Sequence, residues 1–168
     1  DIGSFGWSGV TPSAISTDGS VIVGGARTLS GEHAFRWSVD RGMQDLGTLG
    51  GNYSFATSLS DDGGVVCGTS HDAAGSWHAF RWTEATGMQD LGAPEGFATA
   101  ATVAMDRAGS AIVGSMWTAS GMSGAFRWTP ATGIRSIDNL DQASSAASGV
   151  SASGAVVVGK MRFVPEEL

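Results

Sequence analysis

The sequence predicts an all-β protein of the β-propeller type, built from about four antiparallel blades of four strands each. Three observations predict this fold. The tripeptide Phe-Arg-Trp recurs at steps of 45 and 46 residues, valine-rich runs that end in glycine keep a similar step, and a glycine turn precedes each run. Four β-prone segments in a unit of about 45 residues are typical of a propeller blade. The 168 residues are therefore expected to form a single repeat domain.

The first half of each unit reads as a β-hairpin. A small alternating segment such as Ser13-Ala14-Ile15-Ser16 leads into the turn Asp18-Gly19, and the run Val21-Ile22-Val23-Gly24 follows. Asp-Gly between two β-prone segments is a strong hairpin signal. The same arrangement returns in the other three units, so the hairpin is predicted four times.

The second half of each unit carries the aromatic tripeptide and a short fourth segment. Phe and Trp two positions apart, with Arg between them, have the period of two expected of a strand. A buried Arg needs a partner. The nearest candidates are Asp45 for the first unit and Asp90 for the second, with backbone carbonyls as the alternative. The residues assigned to this repeat framework are Phe35, Arg36, Trp37, Phe80, Arg81, Trp82, Phe126, Arg127, Trp128, Asp45 and Asp90.

The predicted units span approximately 4–47, 48–92, 93–138 and 139–168, and the fourth is incomplete. Residues 1–4 resemble the fourth segment of a unit and could complete the last blade, which would close a ring of four. Two alternatives remain open. Two chains of three and a half blades could complete a larger ring as a homodimer, or the strands could form a β-sandwich.

Composition excludes several classes of function. The net charge is −7 and the 9 basic residues do not cluster, which disfavours nucleic acid as a partner. No run of 18 apolar residues occurs, so membrane insertion is not expected. No motif for a nucleotide cofactor, a metal centre or an activated nucleophile is present. Cys67 stands at a position where the other units have valine, which indicates a core residue. No catalytic, metal or cofactor residue is therefore assigned.

The segments His33-Ala34-Phe35-Arg36-Trp37 and His78-Ala79-Phe80-Arg81-Trp82, each followed by Gly-Met-Gln-Asp-Leu-Gly, carry a family resemblance. The chain resembles the HAF family of probable extracellular repeats. The third unit departs from the pattern, with Gly124 in place of His. The resemblance implies a bacterial protein that is secreted or displayed on the cell surface, often within autotransporter passengers. It implies no enzymatic activity.

The candidate binding surface lies on three variable loops, at residues 26–32, 70–77 and 115–123. They join equivalent strands of successive units and so emerge at one end of a propeller, where function is commonly located. The residues predicted to bind a glycan or a protein partner are Trp77, Trp117, Met116, Met122, His71 and Asp72. Trp77 and Trp117 are the predicted anchors, because Trp is enriched in binding hot spots. The alternative is that both rings fold back and seal the blade ends.

The predicted function is a non-enzymatic extracellular scaffold for presentation or adhesion, which binds its partner through these loops. Two other functions remain open. One is a glycan-processing propeller enzyme, which would place several acidic side chains around the central opening. The other is a structural spacer without a ligand.

Overall fold

A computed structural model describes residues 9–137 and 143–163. Within these residues the chain forms fourteen β-strands and no helix. The all-β prediction is therefore confirmed. The same residues include no helix that is long and apolar enough to cross a membrane.

The strands fall into four successive units. Unit 1 comprises β1 (Val10–Ile15), β2 (Val21–Arg27), β3 (Glu32–Ser38) and β4 (Gly42–Asp45). Unit 2 comprises β5 (Gly50–Leu59), β6 (Val65–Asp72), β7 (Trp77–Thr83) and β8 (Gly87–Asp90). Unit 3 comprises β9 (Thr99–Met105), β10 (Ile112–Trp117), β11 (Ser123–Thr129) and β12 (Gly133–Ser136). Unit 4 comprises β13 (Ala143–Val150) and β14 (Val157–Phe163).

Each of the first three units is an antiparallel sheet in which consecutive strands pair. One parallel bridge between Glu32 and Tyr53 joins the sheets of units 1 and 2. Unit 4 is a two-stranded hairpin in the described residues. Its Met161 lies in β14 and pairs with Ser145, so it continues the second strand of the unit.

The repeated glycine at the end of each valine-rich run lets the aromatic strand approach. Gly68 lies opposite Phe80 in the register, and Gly114 lies opposite Phe126. A Cβ atom at Gly68 would lie 2.6 Å from the Phe80 ring and 2.1 Å from the carbonyl oxygen of Phe55. Both distances are far inside van der Waals contact. The three equivalent phenylalanines are fully buried in the core: Phe35, Phe80 and Phe126.

The tryptophans of the repeat are buried to different degrees. Trp82 is buried in the core between units 1 and 2. Trp37 and Trp128 are only half-buried. Trp128 packs at the margin of the next core cluster, where its ring lies 5.7 Å from the guanidinium carbon of Arg81. The tripeptide thus always supplies a buried Phe, whereas the burial of its Trp depends on the neighbouring unit.

The Ser-x-Asp-Gly turns are held by their own side chains. Ser16 Oγ accepts a hydrogen bond from the Val21 N–H at 2.9 Å and donates one to Asp18 at 2.7 Å. The hydrogen bond from Ser16, followed by those from the N–H and the hydroxyl of Ser20, lowers the pKa of Asp18 to about 2. In unit 3 the serine position holds Asp106, whose carboxylate accepts the Ala111 N–H directly at 3.0 Å. The turn is therefore conserved in shape although its chemistry changes.

The three repeat arginines connect each unit to the next one. Arg36 Nε donates to the carbonyl of Gly63 at 3.0 Å, and Arg81 Nε lies 3.5 Å from the carbonyl of Gly109. Arg127 donates through Nε and Nη2 to the carbonyl of Gly154. Each acceptor is the turn glycine of the following unit. The alternative of backbone carbonyls is therefore the one observed.

The predicted pairing of the arginines with Asp45 and Asp90 is wrong. The register places Asp45 opposite Phe35, whereas Arg36 lies opposite Gln44. Successive side chains of a strand point to opposite faces, so Arg36 and Asp45 project away from each other. Asp45 instead lies 2.9 Å from Nδ1 of His33, which is on its own face.

Unit 2 repeats this arrangement and unit 3 does not. Asp90 lies 2.7 Å from Nδ1 of His78, while Arg81 is opposite Gln89. In unit 3 the positions equivalent to this His and Asp are occupied by Gly124 and Ser136. The two members of the pair are thus present together or absent together.

The turns at one end of the molecule are also linked through the backbone. The Thr17 N–H donates to the Asp61 carbonyl at 3.2 Å, the Asp61 N–H to the Arg107 carbonyl at 2.9 Å, and the Arg107 N–H to the Ala152 carbonyl at 3.3 Å. Equivalent positions in four successive units are therefore joined in one direction. The strands of unit 1 make no extensive contact with β13 or β14, so the four units form an open arc over the part of the chain that the structure describes. The predicted closing strand at residues 1–4 lies outside the described residues.

Replacing Arg127 by Met is expected to lower the free energy of unfolding by about 1–3 kcal/mol, because two charge-assisted hydrogen bonds to Gly154 are lost. Urea denaturation measures this change. Arg41→Met is the control, because the Arg41 side chain is exposed and makes only a surface ion pair with Glu84, which contributes little to stability. Equal unfolding midpoints for the two variants would contradict the linking role of Arg127.

Replacing Asp18 by Asn is expected to lower the urea midpoint at neutral pH and to have little effect near pH 2. The folded pKa of Asp18, about 2, is below its ordinary value of 3.8. Its ionised form therefore contributes stability that is complete above pH 3.8 and is lost as the pH falls toward 2. Asp40→Asn, at an exposed turn residue, is the control. A difference between wild type and Asp18→Asn that stays constant over this pH range would refute the argument.

Candidate functional site

A cavity of about 500 Å³ lies between units 2 and 3. Its walls come from the first strands of both units, from one residue of β6, from the first residue of β7 and from the last residue of β10. The lining residues are Tyr53, Phe55, Thr57, Thr69, Trp77, Thr99, Ala101 and Trp117. The two tryptophans that the sequence singles out as anchors therefore meet in one cavity.

The tryptophans stand at strand ends, and the placement of both on long loops is wrong. Trp77 is the first residue of β7 and lies opposite His71 in the register. Trp117 is the last residue of β10 and lies opposite Ser123. The strands extend into the segments expected to be loops, because the remaining turns are tight. Asp72 closes one of them by accepting the N–H groups of Ala74 and Ser76 at 2.9 and 2.8 Å.

Trp77 belongs to a packed aromatic cluster. Its ring centroid lies 4.0 Å from that of His71 and 5.0 Å from that of Tyr53, in edge-on arrangements. Such geometry is favourable for aromatic pairs. Burial and the negative charge of Glu32 raise the pKa of Tyr53, so its hydroxyl stays protonated. The cluster holds the Trp77 ring in place at the cavity wall.

Both tryptophans remain open to solvent. The exposed fraction is 40% for Trp77 and 37% for Trp117. Trp82, which belongs to the repeat framework, is exposed by only 8%. The two rings therefore line the cavity with accessible faces and do not seal the blade ends.

The other predicted site residues separate into different roles. Met116 is fully buried in the core of unit 3, so its assignment to a binding surface is wrong. Met116 and Trp117 are adjacent in β10, so their side chains point to opposite faces of the sheet, and that of Met116 points into the core. Met122 is exposed but does not line the cavity. Asp72 stabilises a turn, and His71 supports Trp77 from behind.

His71 has one feature that its neighbours do not explain. Its Nε2 atom is buried and has no hydrogen-bond partner among the described residues. A buried polar atom without a partner costs free energy. The ring nevertheless keeps its place, because it packs between Tyr53 and Trp77.

Sequence reasoning missed the floor of the cavity. Tyr53, Phe55 and Thr57 alternate along β5, and this period of two puts their side chains on one face. The alternation in Asn52-Tyr53-Ser54-Phe55 was a visible signal. This alternation does not reveal that Thr99 and Ala101 of the next unit line the same cavity as these three residues.

The cavity is uncharged and mostly apolar. No Asp, Glu, Lys, Arg or His lines it, and its polar groups are the hydroxyls of Tyr53 and three threonines and the indole N–H groups. Two of the threonines already accept a hydrogen bond from a residue distant in sequence: Thr57 and Thr69 each accept one from Thr102 at 3.3 Å. Such walls suit a neutral ligand with apolar faces.

Metal and thiol chemistry find no support in the described residues. They contain no group of three or more His, Cys, Asp or Glu side chains arranged to hold a metal ion. Burial raises the pKa of Cys67 to about 12, and its side chain is fully enclosed in the core. This agrees with the interpretation of Cys67 as a core residue.

Comparison with known proteins identifies the fold. No protein family and no curated protein matches the chain. Among solved structures, TolB from Acinetobacter baumannii matches with a TM-score of 0.61 and 18% identity, over 99% of this chain and 45% of that chain. A putative TolB from Agrobacterium tumefaciens matches with a TM-score of 0.62 and 10% identity, over 95% of this chain and 61% of that chain. The chain thus spans less than two thirds of each. TolB has a β-propeller domain, so the propeller-like fold is confirmed.

Replacing Trp77 and Trp117 by Phe together is expected to remove fluorescence that acrylamide quenches, because both indoles are accessible. Stern–Volmer plots of the variant and the wild type measure this. The control is Trp82→Phe, which removes a buried indole and should leave the amount of quenchable emission unchanged, so that its share of the total rises. If the fluorescence lost in the double variant is protected from acrylamide, the rings are plugs and not parts of an open site.

Proposed function

We propose that this chain is part of a non-enzymatic β-propeller that binds a neutral glycan in the aromatic cavity between units 2 and 3. The observation that carries the proposal is the convergence of Trp77 and Trp117, from two different units, on one uncharged cavity. Sugar rings have apolar C–H faces that pack on indole rings, and their hydroxyls exchange hydrogen bonds with groups such as those of threonine.

The size and charge of the cavity support this ligand class. A volume of about 500 Å³ is in the range of small-molecule sites and accommodates a short oligosaccharide. An acidic sugar would meet no cation in the lining, and a basic ligand would meet no carboxylate. A neutral ligand loses no ionic hydration on entry.

The absence of acid–base groups from the lining supports a binding role over glycan processing. Most glycoside hydrolases use two carboxyl groups about 5–10 Å apart on either side of the scissile bond. The lining residues include no carboxyl group. The proposed role is therefore recognition, and the proposal places the protein at the exterior of a bacterial cell, in line with the HAF resemblance of the repeats.

Screening the full chain on an array of neutral and acidic glycans tests the proposal. We expect binding to neutral glycans, and about thirtyfold or greater weakening in Trp117→Ala, because a hot-spot tryptophan contributes about 2 kcal/mol or more. Met122→Ala is the matched control, since Met122 is exposed on the neighbouring turn and does not line the cavity.

Two results of the array measurement would refute the proposal. One is the absence of neutral-glycan binding, and the other is binding that Trp117→Ala leaves unchanged. A protein partner captured through Trp77 and Trp117 in place of a glycan would likewise refute the glycan assignment, while leaving the cavity as the binding site.

A further inference from the structure

The contact between successive units follows one rule in this chain. The first residue of the valine-rich run in one unit packs against the turn glycine of the next. A Cβ atom at Gly63 would lie 2.6 Å from the Cβ of Val21. One at Gly109 would lie 2.7 Å from the Cβ of Val65, and one at Gly154 would lie 2.9 Å from that of Ala111.

Within the described residues, one half of this contact has no partner in unit 1 and the other half has none in unit 4. Gly19 is the equivalent turn glycine of unit 1, and a Cβ atom there would have no atom within 4 Å. Val156 is the equivalent run residue of unit 4 and is 59% exposed, whereas Val21 is exposed by only 4%. Gly19 and Val156 are the two halves of the same contact, and they do not meet within the described residues.

A second residue beside Val156 is also more exposed than its equivalents in the other units. Val158 lies two positions further along β14 and is 60% exposed. The equivalent residues of the other three units are fully buried: Val23, Cys67 and Val113. Because residues two apart in a strand share a face, Val156 and Val158 form one apolar strip, here called the open face of unit 4.

Unit 1 presents the complementary surface. Ile15, at the end of β1, is 58% exposed, whereas Met105 at the equivalent position of unit 3 is buried. A shallow cavity of about 270 Å³ adjoins it, lined by Pro12, Ser13, Ala14, Ile15 and Ile22. This surface, with Gly19 at its edge, is the open face of unit 1.

We propose that the open face of unit 4 docks on the open face of unit 1 in a second copy of this chain. The occupant is a second copy because the chain itself carries both halves of a contact that it already makes three times internally. Val156 would then pack on the partner copy's turn at Gly19. The Ala152 N–H would donate to the carbonyl of Thr17, which continues the backbone series of Thr17, Asp61, Arg107 and Ala152.

The contact is head-to-tail, so two copies form a closed ring if both contacts are satisfied at once. This arrangement is independent of the glycan site, which lies between units 2 and 3 of one chain. Loss of either property therefore leaves the other measurable.

Analytical ultracentrifugation over a concentration series up to about 0.5 mM tests the contact. We expect wild type to reach twice the chain mass of 17.0 kDa. Val156→Lys is expected to raise the dissociation constant at least tenfold, because it places a charge on the apolar strip. Val39→Lys is the control, since Val39 is 74% exposed on the turn after β3 and lies on neither open face. Circular dichroism checks that both variants are folded.

Cross-linking tests which surfaces meet, and it does not depend on a change at Val156. Thr17→Cys and Ala152→Cys variants are mixed and treated with a short bis-maleimide, to which the buried Cys67 is inaccessible. A cross-linked dimer is expected in the mixture and not in either variant alone. A monomer at every concentration overturns the proposal. So does a dimer that Val156→Lys leaves unchanged, or one that shows no link between positions 17 and 152.

Discussion

Packing at the turn glycine is the constraint on which the rest of the structure depends. Gly63 has a φ of +66°, which favours glycine, and it lies directly against Val21 of the preceding unit. Its carbonyl accepts the hydrogen bond from Arg36. Gly63 therefore closes the hairpin of unit 2, contacts the side chain of Val21 from unit 1 and accepts a hydrogen bond from the guanidinium of Arg36. A side chain at this position would push two units apart, and the hydrogen bonds between them would lengthen together.

The strand period of two explains why certain motifs occur together. His and Asp of one unit lie on the same face of the third and fourth strands and form a pair, as in His33 with Asp45. The intervening Arg lies on the opposite face and reaches the next unit. The His-Ala-Phe segment and the Gln-Asp-Leu segment are therefore two halves of one contact. Unit 3 lacks both halves, with Gly124 and Ser136 at these positions, and it still forms four strands. The His–Asp pair is therefore not needed to form a unit, because hydrophobic packing and the hydrogen bond from the repeat Arg are present without it.

The aromatic cavity arises where successive units differ. Trp117 occupies the position equivalent to His71, and Trp77 occupies the position equivalent to Ser123. The repeat framework holds these positions at the same end of neighbouring units, so a change of residue type there produces a site without a change of backbone. Tyr53 and Phe55 extend the same surface along the first strand of unit 2. A regular scaffold with irregular residues at one end is the usual way in which repeat folds acquire specific binding.

The sequence by itself determined the strand content, the hairpin turns and the four-stranded unit, because these depend on local alternation and turn chemistry that repeat along the chain. It also picked out Trp77 and Trp117, since both depart from the repeat. Only the tertiary structure decided where the Arg36 guanidinium goes, that Met116 is buried and that Thr99 faces Phe55. These features depend on which face of a strand meets the next unit. One residue of register exchanges the two faces, and sequence spacing alone does not set how neighbouring sheets stack.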